Sequence, residues 1–280
     1  MKDLNQKKSN ISLDINDDEL KNFIETDPEL SLLNFDTYDK VLLARQIMID
    51  RKENSYPGYN LKIKINFSYW SLVYVPTKEQ VLKERRMKSI TIRGEDSRDY
   101  KASLKDFYTN TKTRRFAKQQ AEEVVRGVIH NIIENPEEPT RVLGLYLHSP
   151  EFQIGKTYLA NAISNELADR GISGVFVFTP SLATQARKFE NLEKIMRELK
   201  EADILVLDDL GAEYRSEWFR LEVLMPVLQN RLSNLKTTII TSNYSPNELK
   251  SLYRQNTNAV DVERLLSRIL ELCRVIQLDE

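Results

Sequence analysis

The composition of this 280-residue chain narrows the possible classes of protein before any motif is considered. Hydrophobic residues make up 41% of the chain and charged residues 30%, which is typical of a globular protein, and no apolar run approaches the roughly 20 residues that a membrane helix needs. The formal net charge of −1 gives no overall attraction for nucleic acid, and the single cysteine, Cys273, excludes an internal disulfide and a multi-cysteine zinc site.

The N-terminal half is polar and has only short periodic segments. It begins without the apolar core of a secretory signal, so we expect a cytoplasmic protein with no membrane partner. Residues 1–60 indicate short helices and loops, "LKIKINF" (61–67) alternates as a strand does, and "YWSLVYV" follows as its possible partner. The segment 100–128 has a helical pattern, and "ENPEEPT" (134–140) is a loop by composition.

The pattern changes at residue 141, where short apolar runs begin to alternate with segments of helix length. Strands that alternate with helices predict an α/β fold with a parallel sheet covered on both faces, and ligands of such sheets bind at the carboxyl ends of the strands. We therefore expect an N-terminal domain over 1–100, a helical linker over 101–140 and an α/β domain over 141–280. The predicted strands are "RVLGLYL", "GVFVFT", "DILVLDD", "TTIITSN" and "CRVIQL".

The segment "HSPEFQIGKTYLANAI" ends as a phosphate-binding loop does, with Gly155, Lys156 and Thr157 between a strand and a helix. In that context backbone N–H groups cradle the anion, Lys156 reaches the β- and γ-phosphates, and Thr157 binds Mg²⁺. Pro150 stands where such loops have their first glycine, and it lacks both the conformational freedom of glycine and an N–H group. Gln153 also lies in the loop, where many such loops have small residues. We therefore expect the loop to bind a nucleotide but to position its phosphates less well, which disfavours efficient hydrolysis. A chance match to the short motif is the alternative.

Polar side chains follow two of the other predicted strands. Asp208 is expected to hold Mg²⁺, directly or through water, and Asp209 to orient or activate the attacking water. Asn243 ends the next strand, near the same edge of the sheet, where its amide can orient water between Asp209 and the γ-phosphate. The alternatives are an acid pair that merely ends a strand and an asparagine that merely forms a turn.

Two arginines lie on one face of the helical stretch "VERLLSRIL". Arg264 and Arg268 are four residues apart, which is one helical turn. An arginine that reaches the nucleotide of a neighbouring subunit would stabilise charge in the transition state of phosphoryl transfer. The alternative is a pair of solvated helix arginines.

In this order, the C-terminal blocks resemble the AAA+ helicase loaders of the DnaC/DnaI type, and "LDDLGAE" is the most specific of them. Helper ATPases of insertion-sequence transposition share these blocks. The resemblance places Walker A at Gly155, Lys156 and Thr157 with Tyr158 beside them as a nucleotide-binding residue, Walker B at Asp208 and Asp209, sensor 1 at Asn243, and the arginine finger at Arg268, with Arg264 as a second candidate. The resemblance does not place a sensor 2 arginine.

The resemblance implies a P-loop NTPase fold of the AAA+ type, with a central parallel sheet flanked by helices, preceded by a smaller α+β N-terminal domain. It implies ATP and Mg²⁺ as cofactors and self-association through the AAA+ domain. It also implies that the N-terminal domain holds the hexameric replicative DNA helicase for placement on single-stranded DNA. Many such loaders carry a zinc site in this domain, whereas "FSYWSLVYV" has no cysteine, so we expect Tyr69, Trp70, Leu72 and Val73 to form an apolar core instead.

The preferred function is therefore an ATP-binding helicase loader of the primosome, with ATPase activity that the degenerate Walker A loop is expected to reduce. One alternative is a nucleotide-sensing adaptor with little or no ATPase activity, which Pro150 and Gln153 favour. A second is a transposition-helper ATPase, and a third is a small-molecule kinase, whose arginine-rich lid the sequence lacks. The basic run Lys83, Arg85, Arg86 and Lys88 suits a solvated helix face better than a DNA-phosphate contact.

Overall fold

The computed structural model of the chain consists of two compact units that divide between Val81 and Leu82. The boundary falls within helix α3, and each unit has its own hydrophobic core. Among the described residues, no helix is long and apolar enough to cross a membrane. The residues described by the structure are 17–28, 30–31, 37–53, 55–66, 69–93, 98–186, 192–213 and 216–279.

The first unit combines two helices with an antiparallel hairpin, which confirms the two strands expected there. Strands β1 and β2 pair along their whole length, from Tyr59 opposite Pro76 to Asn66 opposite Tyr69. Leu72 packs against the small core of this unit, whereas the side chains of Tyr69 and Trp70, also predicted to lie in an apolar core, are outside the described residues. The elements are α1 (Asp17–Thr26), α2 (Thr37–Glu53), β1 (Tyr59–Asn66) and β2 (Tyr69–Pro76), and α3 (Lys78–Ser89) then leads into the second unit.

The second unit is built on a six-stranded parallel sheet with the strand order β3-β5-β6-β7-β4-β8. All five strands expected after residue 141 are present, which confirms the predicted α/β fold. The strands are β3 (Ile90–Arg93), β4 (Gly144–His148), β5 (Gly174–Phe178), β6 (Ile204–Asp208), β7 (Thr237–Ser242) and β8 (Cys273–Gln277).

Helices cover both faces of this sheet because successive strand residues alternate between two cores. Leu145 and Leu147 of β4 face the core under α4 and α5, whereas Tyr146 between them faces the opposite core, to which α7, α8 and α10 contribute. The helices are α4 (Lys112–Ile129), α5 (Lys156–Ala168), α6 (Thr179–Gln185), α7 (Leu192–Glu201), α8 (Met225–Ser233), α9 (Pro246–Tyr253) and α10 (Ala259–Leu272), with π-helical turns at His130–Glu134 and Phe219–Leu224 and a 3₁₀ turn at Leu104–Asp106.

In the segment before residue 141, sequence reasoning missed one strand and misplaced the start of one helix. Strand β3 was not predicted, because four residues within a basic stretch carry little periodic signal and only pairing with β5 makes them a strand. The helical prediction over 100–128 begins too early. Thr111 accepts a hydrogen bond from the Arg114 N–H and caps α4, which therefore starts at Lys112.

The basic run on α3 does not present all its charges to solvent. The Arg86 guanidinium donates two hydrogen bonds of 2.8 Å to the Asp169 carboxylate, and Arg85 donates to the Asp169 carbonyl oxygen at 2.9 Å. A planar two-bond contact of this kind is the strong form of an ion pair. Arg85 and Arg86 therefore hold the end of α5, and of the four basic side chains only Arg86 is partly buried, whereas Lys83, Arg85 and Lys88 are exposed.

Candidate nucleotide-binding site

The candidate site lies where three neighbouring strands end. Strand β4 runs into the loop before α5, β6 ends at Asp208, and β7, which lies between β4 and β6, ends at Ser242 next to Asn243. Because parallel strands present their carboxyl ends at one edge, this topology brings together the residues that the sequence analysis singled out from three separate segments.

The loop between β4 and α5 closes without a glycine at its start. Gly155 has a φ of 95° at the N-cap of α5, and Gln153 adopts the left-handed φ of 59° that is uncommon for a non-glycine residue. The side chain of Ile154 is buried in the core beside α5, and the Glu151 N–H donates to Ser149 Oγ at 3.2 Å. The loop is thus a compact turn anchored by its own Ile154 and does not depend on flexibility at Pro150.

Lys156 is the first residue of α5, and its buried side chain extends back toward the loop. Its ammonium group donates to the carbonyl oxygens of Ser149 at 3.1 Å and Glu151 at 2.8 Å. Burial lowers the pKa of Lys156, an effect that the nearby carboxylates of Asp209 and Asp208 oppose. The positive charge is therefore held at the loop and beside the acid pair, by contacts that an anionic ligand can replace.

Asp208 is the centre of a short hydrogen-bond network. Thr157 Oγ1 donates to Asp208 Oδ1 at 2.8 Å, and Thr241 Oγ1 of β7 donates to the same oxygen at 2.7 Å. A hydroxyl and a carboxylate oxygen this close are the hard oxygen ligands that Mg²⁺ prefers, usually together with waters and phosphate oxygens. The donor set of Thr157 and Asp208 fits the predicted metal.

Asp209 lies directly beside this pair, in a conformation that few aspartates adopt. Its φ is 55°, and its N–H donates to Thr241 Oγ1 at 2.9 Å. Burial raises the pKa of Asp209, the Asp208 carboxylate raises it further, and Lys156 lowers it. A partly buried carboxylate with a raised pKa is suited to accept a proton, and Asn243 lies half-buried at the neighbouring strand end.

The remaining predicted residues make contacts elsewhere. The Tyr158 hydroxyl donates to the Ser103 carbonyl oxygen at 3.3 Å, and its ring stacks on Phe107 with centroids 6.3 Å apart, so only its backbone faces the loop at the start of α5. Arg268 donates to Glu271 at 3.0 Å and to the Gln229 side chain on α8, and Arg264 lies 3.5 Å from Asp261. Within a single chain, these hydrogen bonds do not bring either arginine to the acid pair.

One residue of the site was missed by sequence reasoning. Arg114 on α4 is 9% exposed, and its Nη1 donates to the Ile154 carbonyl oxygen at 2.8 Å. Its guanidinium lies 5.2 Å from the centroid of the Phe107 ring, and the Asp279 carbonyl oxygen accepts a longer contact of 3.5 Å. An arginine on a helix with other charges gives no sequence signal for this role, because the partner is a loop carbonyl 40 residues away.

The strand order and the gathered lysine, threonine and acid pair define the second unit as a P-loop ATP-binding domain of the AAA+ class. A family model described as "IstB-like ATP binding protein" matches residues 147–280. The chain is 35% identical over 158 residues to the replicative helicase loader DnaI of Bacillus subtilis (strain 168), a match that covers 54% of this chain and 50% of that protein. This chain therefore spans about half the length of that curated relative.

Two solved structures extend the similarity. A crystal structure of DnaI superposes with a TM-score of 0.59 at 32% identity and covers 69% of this chain and 98% of that one. A crystal structure of the DnaC helicase loader gives a TM-score of 0.50 at 29% identity and covers 64% of this chain and 98% of that one. Residues 147–280, within the second unit, belong to the family of IstB-like ATP-binding proteins.

Proposed function

We propose that this protein is an ATP-dependent loader of the replicative DNA helicase. The observation that carries the proposal is the cluster of Lys156, Thr157 and Asp208 at the carboxyl ends of the parallel strands. The similarity to DnaI and DnaC, both named as helicase loaders, supports the cellular role. Replication initiation and restart are the processes in which such a loader acts.

In the proposed site, the triphosphate replaces the loop carbonyls as the partner of Lys156. Backbone N–H groups around Gly155 and at the first turn of α5, Tyr158 included, point toward the anion, since the N-terminus of a helix carries partial positive charge. Thr157 and Asp208 would hold Mg²⁺, and the ion would neutralise charge on the phosphate oxygens.

The acid pair and the strand end of β7 then position the attacking water. Asp209 accepts a proton from that water or orients it, because its carboxylate is partly desolvated and lies beside Asp208. Asn243 provides an amide at the neighbouring strand end. Arg268 leaves Gln229 and Glu271 to reach the nucleotide of an adjacent copy, where it stabilises transition-state charge.

The rest of the chain supplies the partner contacts in this proposal. The first compact unit, Met1–Val81, binds the hexameric replicative helicase, and the second unit, Leu82–Glu280, carries the ATP site and mediates self-association. Single-stranded DNA is the substrate onto which the helicase is placed. ATP binding changes the interface between copies, and hydrolysis releases the helicase.

The test measures nucleotide binding, hydrolysis and helicase capture with matched lysine variants. Lys156→Ala should abolish binding of ATP and ATP-dependent delivery of a purified hexameric helicase to single-stranded DNA. The exposed Lys194 on α7 provides the control, because Lys194→Ala removes the same charge elsewhere and should change neither. Equal ATP affinity in both variants would refute the loop assignment, and failure of the wild-type chain to bind the helicase would refute the loader role.

A second candidate function is nucleotide sensing without turnover. Gln153 at a φ of 59° and Pro150 make the loop less adaptable than one built on two glycines, which favours binding over hydrolysis. In that case ATP binds and the helicase is captured, but no phosphate is released even with single-stranded DNA present. The family model also bears the IstB name, so binding to a transposase and duplex DNA is the result that would favour a transposition helper.

A further inference from the structure

A buried carboxylate lies on the turn that follows the acid pair and has no part in the proposed chemistry. Glu213 is 5% exposed, its Oε1 accepts a hydrogen bond from the hydroxyl of Tyr253 at the end of α9, and its Oε2 accepts from the Gly211 N–H at 2.6 Å. Burial raises the pKa of Glu213, because the charged carboxylate loses its hydration there. The buried carboxylate therefore lowers the stability of the fold.

The same turn is tied to the end of β7. The Leu210 N–H donates to the Thr241 carbonyl oxygen at 2.9 Å, and Ser242 Oγ donates to the Leu210 carbonyl oxygen at 2.6 Å. Gly211 has a φ of 100°, and a Cβ there would lie 2.8 Å from the Tyr244 ring, so no larger residue fits the turn. The position of Asp209, two residues earlier, is therefore set by how this turn is held.

A second buried charge continues the chain of contacts from Tyr253. Arg220 is 1% exposed and its guanidinium lies 4.6 Å from the centroid of the Tyr253 ring. It donates to Thr257 Oγ1 at 2.6 Å and 3.1 Å and to Asn256 Oδ1 at 2.7 Å. Both acceptors belong to the connector between α9 and α10, and α10 carries Arg264 and Arg268.

We infer that Glu213 is a positioning residue for Asp209, and that Glu213, Tyr253 and Arg220 couple the nucleotide site to the connector that precedes α10. The inference rests on the proposed function, because it assigns a role in the response to ATP. When Asp209 moves on nucleotide binding, the 209–213 turn moves with it. Glu213 of this turn is hydrogen-bonded to the Tyr253 hydroxyl, and the Tyr253 ring contacts Arg220, which donates hydrogen bonds to the connector. Glu213, Tyr253 and Arg220 thus form a bridge. This bridge links nucleotide binding at the site to α10, the helix that carries the proposed arginine finger.

Two variants break the bridge in different places. Glu213→Gln keeps the size of the side chain but replaces one acceptor oxygen by an NH₂ donor. The glutamine can therefore not accept hydrogen bonds from both Tyr253 and Gly211 with its two terminal atoms. Tyr253→Phe removes only the hydroxyl. Thr238→Val is the control, since Thr238 Oγ1 accepts from the buried Arg231 Nε at 2.9 Å in the same domain and takes no part in the site.

The first readout is the separation of kcat from nucleotide affinity, measured well below the melting temperatures. Both bridge variants should bind a non-hydrolysable ATP analogue with Mg²⁺ within about threefold of wild type, and kcat should fall about 10- to 100-fold because Asp209 is misplaced. Thr238→Val should lose thermal stability without this loss of kcat. If the bridge variants lose no more kcat than this control, Glu213 is only structural and the inference is overturned.

The second readout does not depend on turnover. Hydrogen exchange at the amides of residues 254–258 should change when wild type binds the analogue, and this change should disappear in Glu213→Gln and Tyr253→Phe but persist in Thr238→Val. No nucleotide-dependent change in a wild type that binds the analogue would overturn the coupling and leave the proposed function standing. A wild type that binds no analogue would overturn both.

Discussion

The role of Arg114 gives the sharpest test of how the phosphate loop is held. Replacing it in Arg114→Met keeps much of the apolar stem but removes the hydrogen bond to the Ile154 carbonyl oxygen and the contact with the Phe107 ring. A hydrogen bond to a charged group contributes about 1.5–3 kcal/mol and a partly buried cation–π contact about 0.5–2 kcal/mol. The expected loss is therefore about 3 kcal/mol, which lowers the melting temperature of a domain of this size by about 6–12 °C.

The same change should weaken nucleotide binding, although Arg114 is not expected to touch the nucleotide. If the loosened loop holds its binding geometry only about a tenth of the time, the apparent Kd for ATP rises about tenfold, which is about 1.4 kcal/mol. Titration with a fluorescent ATP analogue measures this effect.

Arg115→Met is the matched control, because Arg115 is exposed and donates at 3.0 Å to the Thr109 carbonyl oxygen on the surface. Equal affinities in the two variants would refute the claim that Arg114 holds the loop.

Three further predictions concern Thr157, Gln153 and Cys273. Thr157→Ala should remove most of the Mg²⁺ dependence of ATP binding, because it deletes the hydroxyl beside Asp208, and titrations with Mg²⁺ or EDTA measure this dependence. Gln153→Val should lower the free energy of unfolding by about 1–2 kcal/mol, measured in urea, because a β-branched residue fits poorly at a φ of 59°. Burial raises the pKa of the Cys273 thiol, so it should react with iodoacetamide in urea but not in buffer.

Each of these predictions has a control: a second variant at the same position for Thr157 and Gln153, and labelling of the native protein for Cys273. Thr157→Ser retains a hydroxyl and should restore the Mg²⁺ dependence, and a failure of rescue would argue against metal binding there. Gln153→Gly should be close to wild type, because the relief of strain is offset by the flexibility of glycine in the unfolded chain. Labelling of Cys273 in the native protein, at a rate similar to that in urea, would contradict its buried position.

Much of the fold and part of the site could be predicted from local patterns. The five strands after residue 141 were found because each is a buried apolar run bounded by polar or turn residues. Lys156, Thr157 and Asp208 were found because a phosphate loop and its acidic partner occupy fixed places at strand ends, and the structure brings Thr157 and Asp208 to 2.8 Å. The functional roles of these three residues, and of Asp209, Asn243 and Arg268, stay predictions.

Apart from the start of α4, which the local cap at Thr111 sets, the features that sequence reasoning missed depend on partners far along the chain. Residues 90–93 form a strand because β5 pairs with them. Arg114 holds the phosphate loop because its guanidinium donates a hydrogen bond to the Ile154 carbonyl oxygen. Nothing in "LGAE" indicates that Glu213 meets Tyr253, 40 residues later. Local periodicity and turn chemistry determine which segments become strands, helices and loops, because they act between near neighbours. The tertiary structure alone decides which buried charges meet, because a buried polar group must find its partner wherever the packed chain provides one.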